Sequence, residues 1–189
     1  MKLQSLFILL APLAFLALCI ELGAASPDQW PRFRGADGTG KIPGEKLLPS
    51  WTTEDWTWQA DLPGIGHSSP IVWNEKIYLT SADEENNVRH LLCHDLYTGK
   101  LIWTQDFPGE IERHHKQNSS ASSTVTADSR GIYWLWGTSQ NVRLEAMTHD
   151  GEMRWSIDLG SYVGQHGFGG SPVVWEDTVI IPLEQDTQG

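Results

Sequence analysis

Histidine, cysteine and carboxylate are the side chains with which this sequence could do chemistry, and their spacing limits what they could do. His114 and His115 are adjacent in the polar stretch "IERHHKQNSS". Neighbours on an extended chain point to opposite sides, so one metal ion rarely takes both. A solvated loop is the plainer reading, with metal binding as the alternative. His67 and His166 stand two and five residues before Ser69 and Ser171, so they are not equivalent positions and do not build a ring of ligands. Cys93 lies in "RHLLCHD", an alternating run in which a thiol behaves as a small core hydrophobe; a catalytic thiol is the competing reading. Asn118-Ser119-Ser120 is a glycosylation sequon, relevant only in a eukaryotic secretory route. Gly66, Ser68 and Ser69, Ser122 and Ser123, and Gly169, Gly170 and Ser171 form small-residue runs. No G-x-G-x-x-G leading into a helix and no Walker sequence accompanies them, so crowding explains them better than a phosphate-cradling loop.

The bulk properties bound the partners. The 189 residues carry a formal net charge of -11, which argues against nucleic acid and against anionic lipid surfaces. Ten tryptophans mean that large flat side chains fill interfaces repeatedly. Residues 1–25 read as a signal peptide: Lys2, an apolar run from Leu6 to Ile20, then "LGAAS". A retained N-terminal anchor is the alternative. The run is short for a membrane span, and Pro12 weakens it further. Cleavage after Ala25 would also remove Cys19, leaving Cys93 alone and without an internal disulfide. The expected location is therefore periplasmic or extracellular, with no membrane span in the mature chain.

The elements that must position these residues are written more than once. "HDLYTGKLIWTQDF" (94–107) and "HDGEMRWSIDL" (149–159) both place a Gly four residues before a Trp; Gly99 to Gly151 and Trp103 to Trp155 are each 52 residues apart. "SSPIVWNEKIYLT" (68–80) matches "GSPVVWEDTVIIP" (170–182), and "SSTVTADSRGIYWLWG" (122–137) repeats the design with one residue more, assigned to the turn. A period near fifty is that of a blade or solenoid array. Each unit reads as four short strands. In the first, "SPIVW" turns at Asn74-Glu75 into "KIYLTSA", "DEENN" leads to "VRHLLCH", and "DLYTG" turns into "KLIWTQDF". Asp95 can bond the backbone two residues on, and Gly99 can take the positive φ that closes the turn. In the second unit Asp150-Gly151 does the turning. Trp103 and Trp155 then cover the seams to neighbouring units. Four-stranded antiparallel units in series define an all-β fold, a β-propeller, whose first strands crowd the axis and so demand small residues.

These residues resemble a family. "CHDLYTGKLIW" (93–103) is similar to the tryptophan-docking motif of pyrroloquinoline-quinone (PQQ) propeller repeats, A-x-D-x-x-T-G-K-x-x-W. Asp95, Thr98, Gly99, Lys100 and Trp103 match, and Cys93 replaces the Ala. The copy "AMTHDGEMRW" (146–155) is one residue shorter and keeps the Ala, Gly151 and Trp155. "WPRFRGADGTG" (30–40) resembles the segment that introduces secreted PQQ-like propellers. The resemblance implies blades of a seven- or eight-bladed propeller, either a quinoprotein dehydrogenase or a non-catalytic member of the BamB-like kind. A dehydrogenase of this family would need Ca²⁺, a catalytic carboxylate and a vicinal Cys pair; the mature chain has no Cys-Cys.

The expectation is an exported, non-catalytic binding or scaffold module. Residues 26–55 form an N-terminal extended segment and 56–189 partial propeller blades at 66–107, 120–159 and 168–189. No catalytic, cofactor or metal residue is assigned. The alternatives are the N-terminal part of a PQQ- and Ca²⁺-dependent alcohol-type dehydrogenase, or the sensor part of a larger chain. The third copy lacks its turn and docking Trp, and "DWTWQADLPG" (55–64) reads as the outer strand of another blade, with Trp58 in the docking position. The array is thus expected to be a fragment of a longer one.

Overall fold

A computed structural model describes residues 29–42, 49–111 and 115–186. The signal sequence and His114 lie outside them. Two four-stranded antiparallel sheets and one hairpin make up the regular structure. The first sheet runs β1 (Ile71–Trp73), β2 (Lys76–Asp83), β3 (Val88–Asp95) and β4 (Leu101–Pro108), neighbours in sequence being neighbours in space. The second repeats that order with β5 (Thr126–Asp128), β6 (Gly131–Gly137), β7 (Val142–Met147) and β8 (Met153–Asp158). β9 (Val173–Trp175) and β10 (Thr178–Ile180) form the hairpin. A single 3₁₀ turn at Thr53–Asp55 is the only helical element among the described residues, and none of their helices is long and apolar enough to cross a membrane.

Local chemistry accounts for the strands. β1 and β2 join through Asn74 and Glu75, both at positive φ (45° and 62°), the two-residue geometry that matches strand twist. Asp128 pairs with Gly131 and Trp175 with Thr178, so all three first hairpins have two-residue turns. The extra residue of the middle unit, expected in that turn, lies before the strand instead. Thr124, rather than Ser123, is therefore the counterpart of Ser69 and Ser171. Both sheets also slip register at one place, between Cys93 and His94 and between Ala146 and Met147, just before the turn into the fourth strand.

The core lies between the sheets. Ile71, Tyr78, Leu91 and Cys93 of the first pack with Ile132, Trp134, Trp136 and Met147 of the second, and Trp103 and Phe107 close the outer side. A second cluster, Leu135, Val142 and Leu144, is met by Trp155, Phe168, Val179 and Leu183 and joins the second sheet to the hairpin. The short first strands lie side by side, β5 against both β1 and β9. The Ser69 amide donates to Thr124 Oγ1 (3.0 Å), and the Thr124 amide donates to Ser171 Oγ (2.9 Å). A hydroxyl at the same position in successive units therefore sets the spacing between them. Crowding is real here: a Cβ on Gly66 would stand 2.6 Å from the Thr80 carbonyl oxygen and 3.5 Å from Ala121 Cβ.

Candidate functional site

The repeated turn before the fourth strand is where most of the motif residues meet. Asp95 Oδ1 accepts from the Thr98 amide (2.8 Å), the Thr98 hydroxyl (2.7 Å) and the Tyr97 amide (3.2 Å). The bonds from Thr98 hold the Asp95 carboxyl below its ordinary pKa. Gly99 takes φ +67°, and its amide donates to the Asp95 carbonyl at 2.9 Å. The backbone of Lys100 accepts from the Asp95 amide (2.9 Å), and its side chain is exposed. Trp58 lies flat over this turn. A Cβ on Gly99 would stand 2.3 Å from its indole, whose Nε1 donates to the Leu96 carbonyl (2.9 Å).

The second turn repeats the contact with different donors. A Cβ on Gly151 (φ +85°) would stand 2.9 Å from the Trp103 ring, and Trp103 Nε1 donates to the His149 carbonyl (3.2 Å). Each indole thus seats on the glycine turn of the following sheet. Thr148 replaces Asp95: its hydroxyl accepts from the Asp150 and Glu152 amides (3.3 and 3.1 Å). Asp150 stands in the turn as expected, which the Gly151 amide closes on the Thr148 carbonyl (3.1 Å), and its carboxylate reaches back to Lys76 Nζ of the first sheet at 3.0 Å, a bond that lowers its pKa. Trp155 is the counterpart of Trp103. It sits on the cluster that meets the hairpin, with its ring 6.1 Å from that of Tyr133.

His149 is the residue the sequence did not single out. Its Nε2 donates to the Asp128 carbonyl (2.8 Å), which leaves Nδ1 to accept from the Tyr78 hydroxyl (2.9 Å). Its ring stacks on Trp73 at 6.0 Å, within 4° of parallel, while its carbonyl also accepts from Lys76 Nζ (2.9 Å). Cys93 is buried in the same junction, and burial pushes its thiol pKa up to about 12, which makes it a poor nucleophile. Arg89 was also missed. It is buried, stands 5.1 Å over the Trp136 ring, and donates through Nη2 to the Glu110 carbonyl (3.1 Å). Arg130 clamps the second sheet to the hairpin through Asp128 and Asp177 (2.7 Å each).

The remaining candidates are placed as follows. His67 is exposed, and the exposed rings of His115 and His166 meet edge to face at 5.3 Å. Asn118 of the sequon is engaged on both sides of its amide: Nδ2 donates to the His166 carbonyl (2.7 Å), and Oδ1 accepts from the Ser119 amide and the Ser122 hydroxyl. Glu145, the only buried carboxylate among the described residues, accepts from Arg143 Nε at 3.1 Å. Ca²⁺ with a quinone requires several converging oxygen donors. Asp95 is spent on its turn and Asp128, Glu145 and Asp150 on ion pairs, and no three His, Cys, Asp or Glu side chains among the described residues converge on one point.

A cavity of about 210 Å³ opens on the far face of the first sheet, lined by Trp58, Ala60, Leu62, Ile77, Leu79 and His94. By register, Ile77, Leu79 and His94 correspond to Ile132, Trp134 and Met147 of the second sheet, which the first sheet covers completely. His94 Nδ1 donates to the Gly99 carbonyl (2.8 Å), and its Nε2 is buried without a partner among the described residues. No protein-family model matches this chain, and no curated protein is significantly similar to it.

Proposed function

We propose that this chain is an exported β-propeller repeat module of the PQQ-like, BamB-like kind, acting as a binding or scaffold protein without catalysis of its own. The observation that carries the reading is the twofold seating of an indole on the next unit's glycine turn, Trp58 on Gly99 and Trp103 on Gly151, each with its Nε1 on a turn carbonyl. First strands lying side by side and fourth strands locked by tryptophan are what successive blades around an axis require. The scaffold reading rests on how the reactive groups are used. Asp95 is committed to its own turn, both nitrogens of His149 to the junction between the sheets, and the Cys93 thiol to the core. A binding surface would then lie on the loops and strand edges that these contacts hold in place.

Export rests on the charged, apolar and small-residue order of positions 2–25. Protein recovered from outside the cytoplasm is expected to begin near Ser26. N-terminal sequencing of such material that read from Met1 would count against export. The non-catalytic reading is tested by titrating the full chain with PQQ in the presence of Ca²⁺, following quinone absorbance and dye reduction with alcohols. The expected result is neither saturable binding at micromolar quinone nor dye reduction. Stoichiometric binding would shift the assignment to the quinoprotein dehydrogenases.

A further inference from the structure

The segment Gln29–Gly40 is tied to two sheets at once, through consecutive residues. In β1, Trp73 pairs with Lys76 across the two-residue turn, so Val72 is the non-bonded position and its N–H and C=O face away from β2. Trp30 takes both groups: its amide donates to the Val72 carbonyl (3.0 Å), and its carbonyl accepts from the Val72 amide (2.9 Å). Ala127 is the same position in β5, and its amide donates to the Pro31 carbonyl (2.8 Å), which also accepts from Thr126 Oγ1 (3.3 Å). Pro31 has no N–H to continue the pairing, so the addition stops after one residue on each sheet. Gln29 Nε2 adds a bond to Asn74 Oδ1 (2.9 Å) at the β1–β2 turn.

The rest of the segment folds back to hold these two residues. The Gly35 amide donates to the Arg32 carbonyl (2.9 Å), the Gly40 amide to the Arg34 carbonyl (2.8 Å), and Arg32 Nη2 to the Ala36 carbonyl (2.9 Å). Gly35, at φ +80°, lies under the Trp30 indole so closely that a Cβ would stand 2.7 Å from the ring.

We propose that the inner edges of β1 and β5 form one seat for an extended peptide with an aromatic–proline pair, and that residues 29–40 are its tethered occupant. The seat offers a donor and an acceptor at Val72 and a second donor at Ala127, spaced for two successive residues of one chain. Tethering gives the occupant an effective concentration on the order of millimolar, so outside peptides are excluded while the clasp is closed. The inference does not depend on how many sheets complete the array.

Hydrogen exchange on the full chain reads the clasp directly, because Val72 and Ala127 belong to different sheets yet are both covered by the segment. In Gly35→Val, both amides are expected to exchange about tenfold faster or more, together, while amides of β3 and β7 keep their protection. A labelled synthetic peptide of the sequence QWPRFRGADGTG should then bind that variant saturably and restore protection at both positions. It should not bind the unaltered protein, and the same peptide with Trp30→Ala should do neither. If Gly35→Val speeds exchange everywhere, Trp30→Ala in the full chain replaces it, with the same expectations. Unchanged or independent exchange at Val72 and Ala127, or a released seat that the peptide fails to protect, would overturn the proposal.

Discussion

Trp134→Ala is expected to lower the unfolding free energy by about 3–5 kcal/mol, the range for truncating a buried aromatic whose surroundings cannot collapse. Trp134 is fully buried, in the middle of the junction between the two sheets. Its ring meets Phe107 of β4 edge-on at 5.0 Å and lies 6.3 Å from Trp136 on its own strand. Contacts from both sheets converge on it, so its removal leaves a void that neither sheet can fill alone. Trp134→Phe is the informative partner. The indole Nε1 is buried without a hydrogen-bond partner among the described residues, a polar burial that costs free energy. Replacing the indole by phenyl removes that donor and keeps part of the packing on Phe107, so the loss should be no more than about half that of the alanine variant. Urea unfolding followed by tryptophan fluorescence and circular dichroism gives both values. Equal losses for Ala and Phe would mean that an unseen partner satisfies the indole nitrogen.

The strands of the repeats and their turns were legible because their causes are local; the outer strand expected over 55–64 does not form, because no described strand lies beside it to pair with. Alternation over "KIYLTSA" and "VRHLLCH", an Asn-Glu pair between two runs, and an Asp four residues before a Gly each act within a few residues. Recurrence at a fixed spacing then extended one unit to the next. The seating of Trp103 and Trp58 was legible for the same reason, as a position in a repeated pattern. What failed was the meeting of distant segments that no repeat marks. Nothing in "THDGE" singles out His149, yet both its ring nitrogens are taken up by Tyr78 and Asp128. Arg89 shares the core-facing side of β3 with Leu91 and Cys93, but a guanidinium is not expected there, and only the approach of Trp136 from the other sheet explains how it is accommodated. Asp150 makes the turn with Gly151 as its neighbours in sequence suggest, but its ion pair with Lys76 of the first sheet is not visible there. The extra residue of the middle unit was misplaced because Ser122, Ser123 and Thr124 are interchangeable by type. The common two-residue turn of the three hairpins fixes which one is equivalent, and the amide-to-hydroxyl bonds of Ser69, Thr124 and Ser171 agree.

Trp103→Ala should cost about 3 kcal/mol or more, and Trp155→Ala distinctly less, although the two occupy the same place in the repeat. Trp103 reaches across a junction: its ring covers Gly151 and its Nε1 donates to the His149 carbonyl, a group that also serves Lys76. Losing the indole opens the outer side of the core and strips one donor from that carbonyl. Trp155 packs on Leu135, Val142 and Leu144 and tilts against Tyr133, contacts made largely within its own sheet. The seating itself can be isolated with Gly151→Ala. At φ +85° an alanine carries left-handed strain of roughly 1–2 kcal/mol, and its Cβ also presses on the Trp103 ring at 2.9 Å. In a Trp103→Ala background the pressure disappears and only the strain remains. The double variant should therefore lose less than the sum of the singles, by more than the ~0.5 kcal/mol within which independent sites add. Additivity within that margin, or equal losses for Trp103→Ala and Trp155→Ala, would show that the indole does not hold the second sheet through its glycine turn, and the repeat would lose its physical meaning as a chain of locked neighbours.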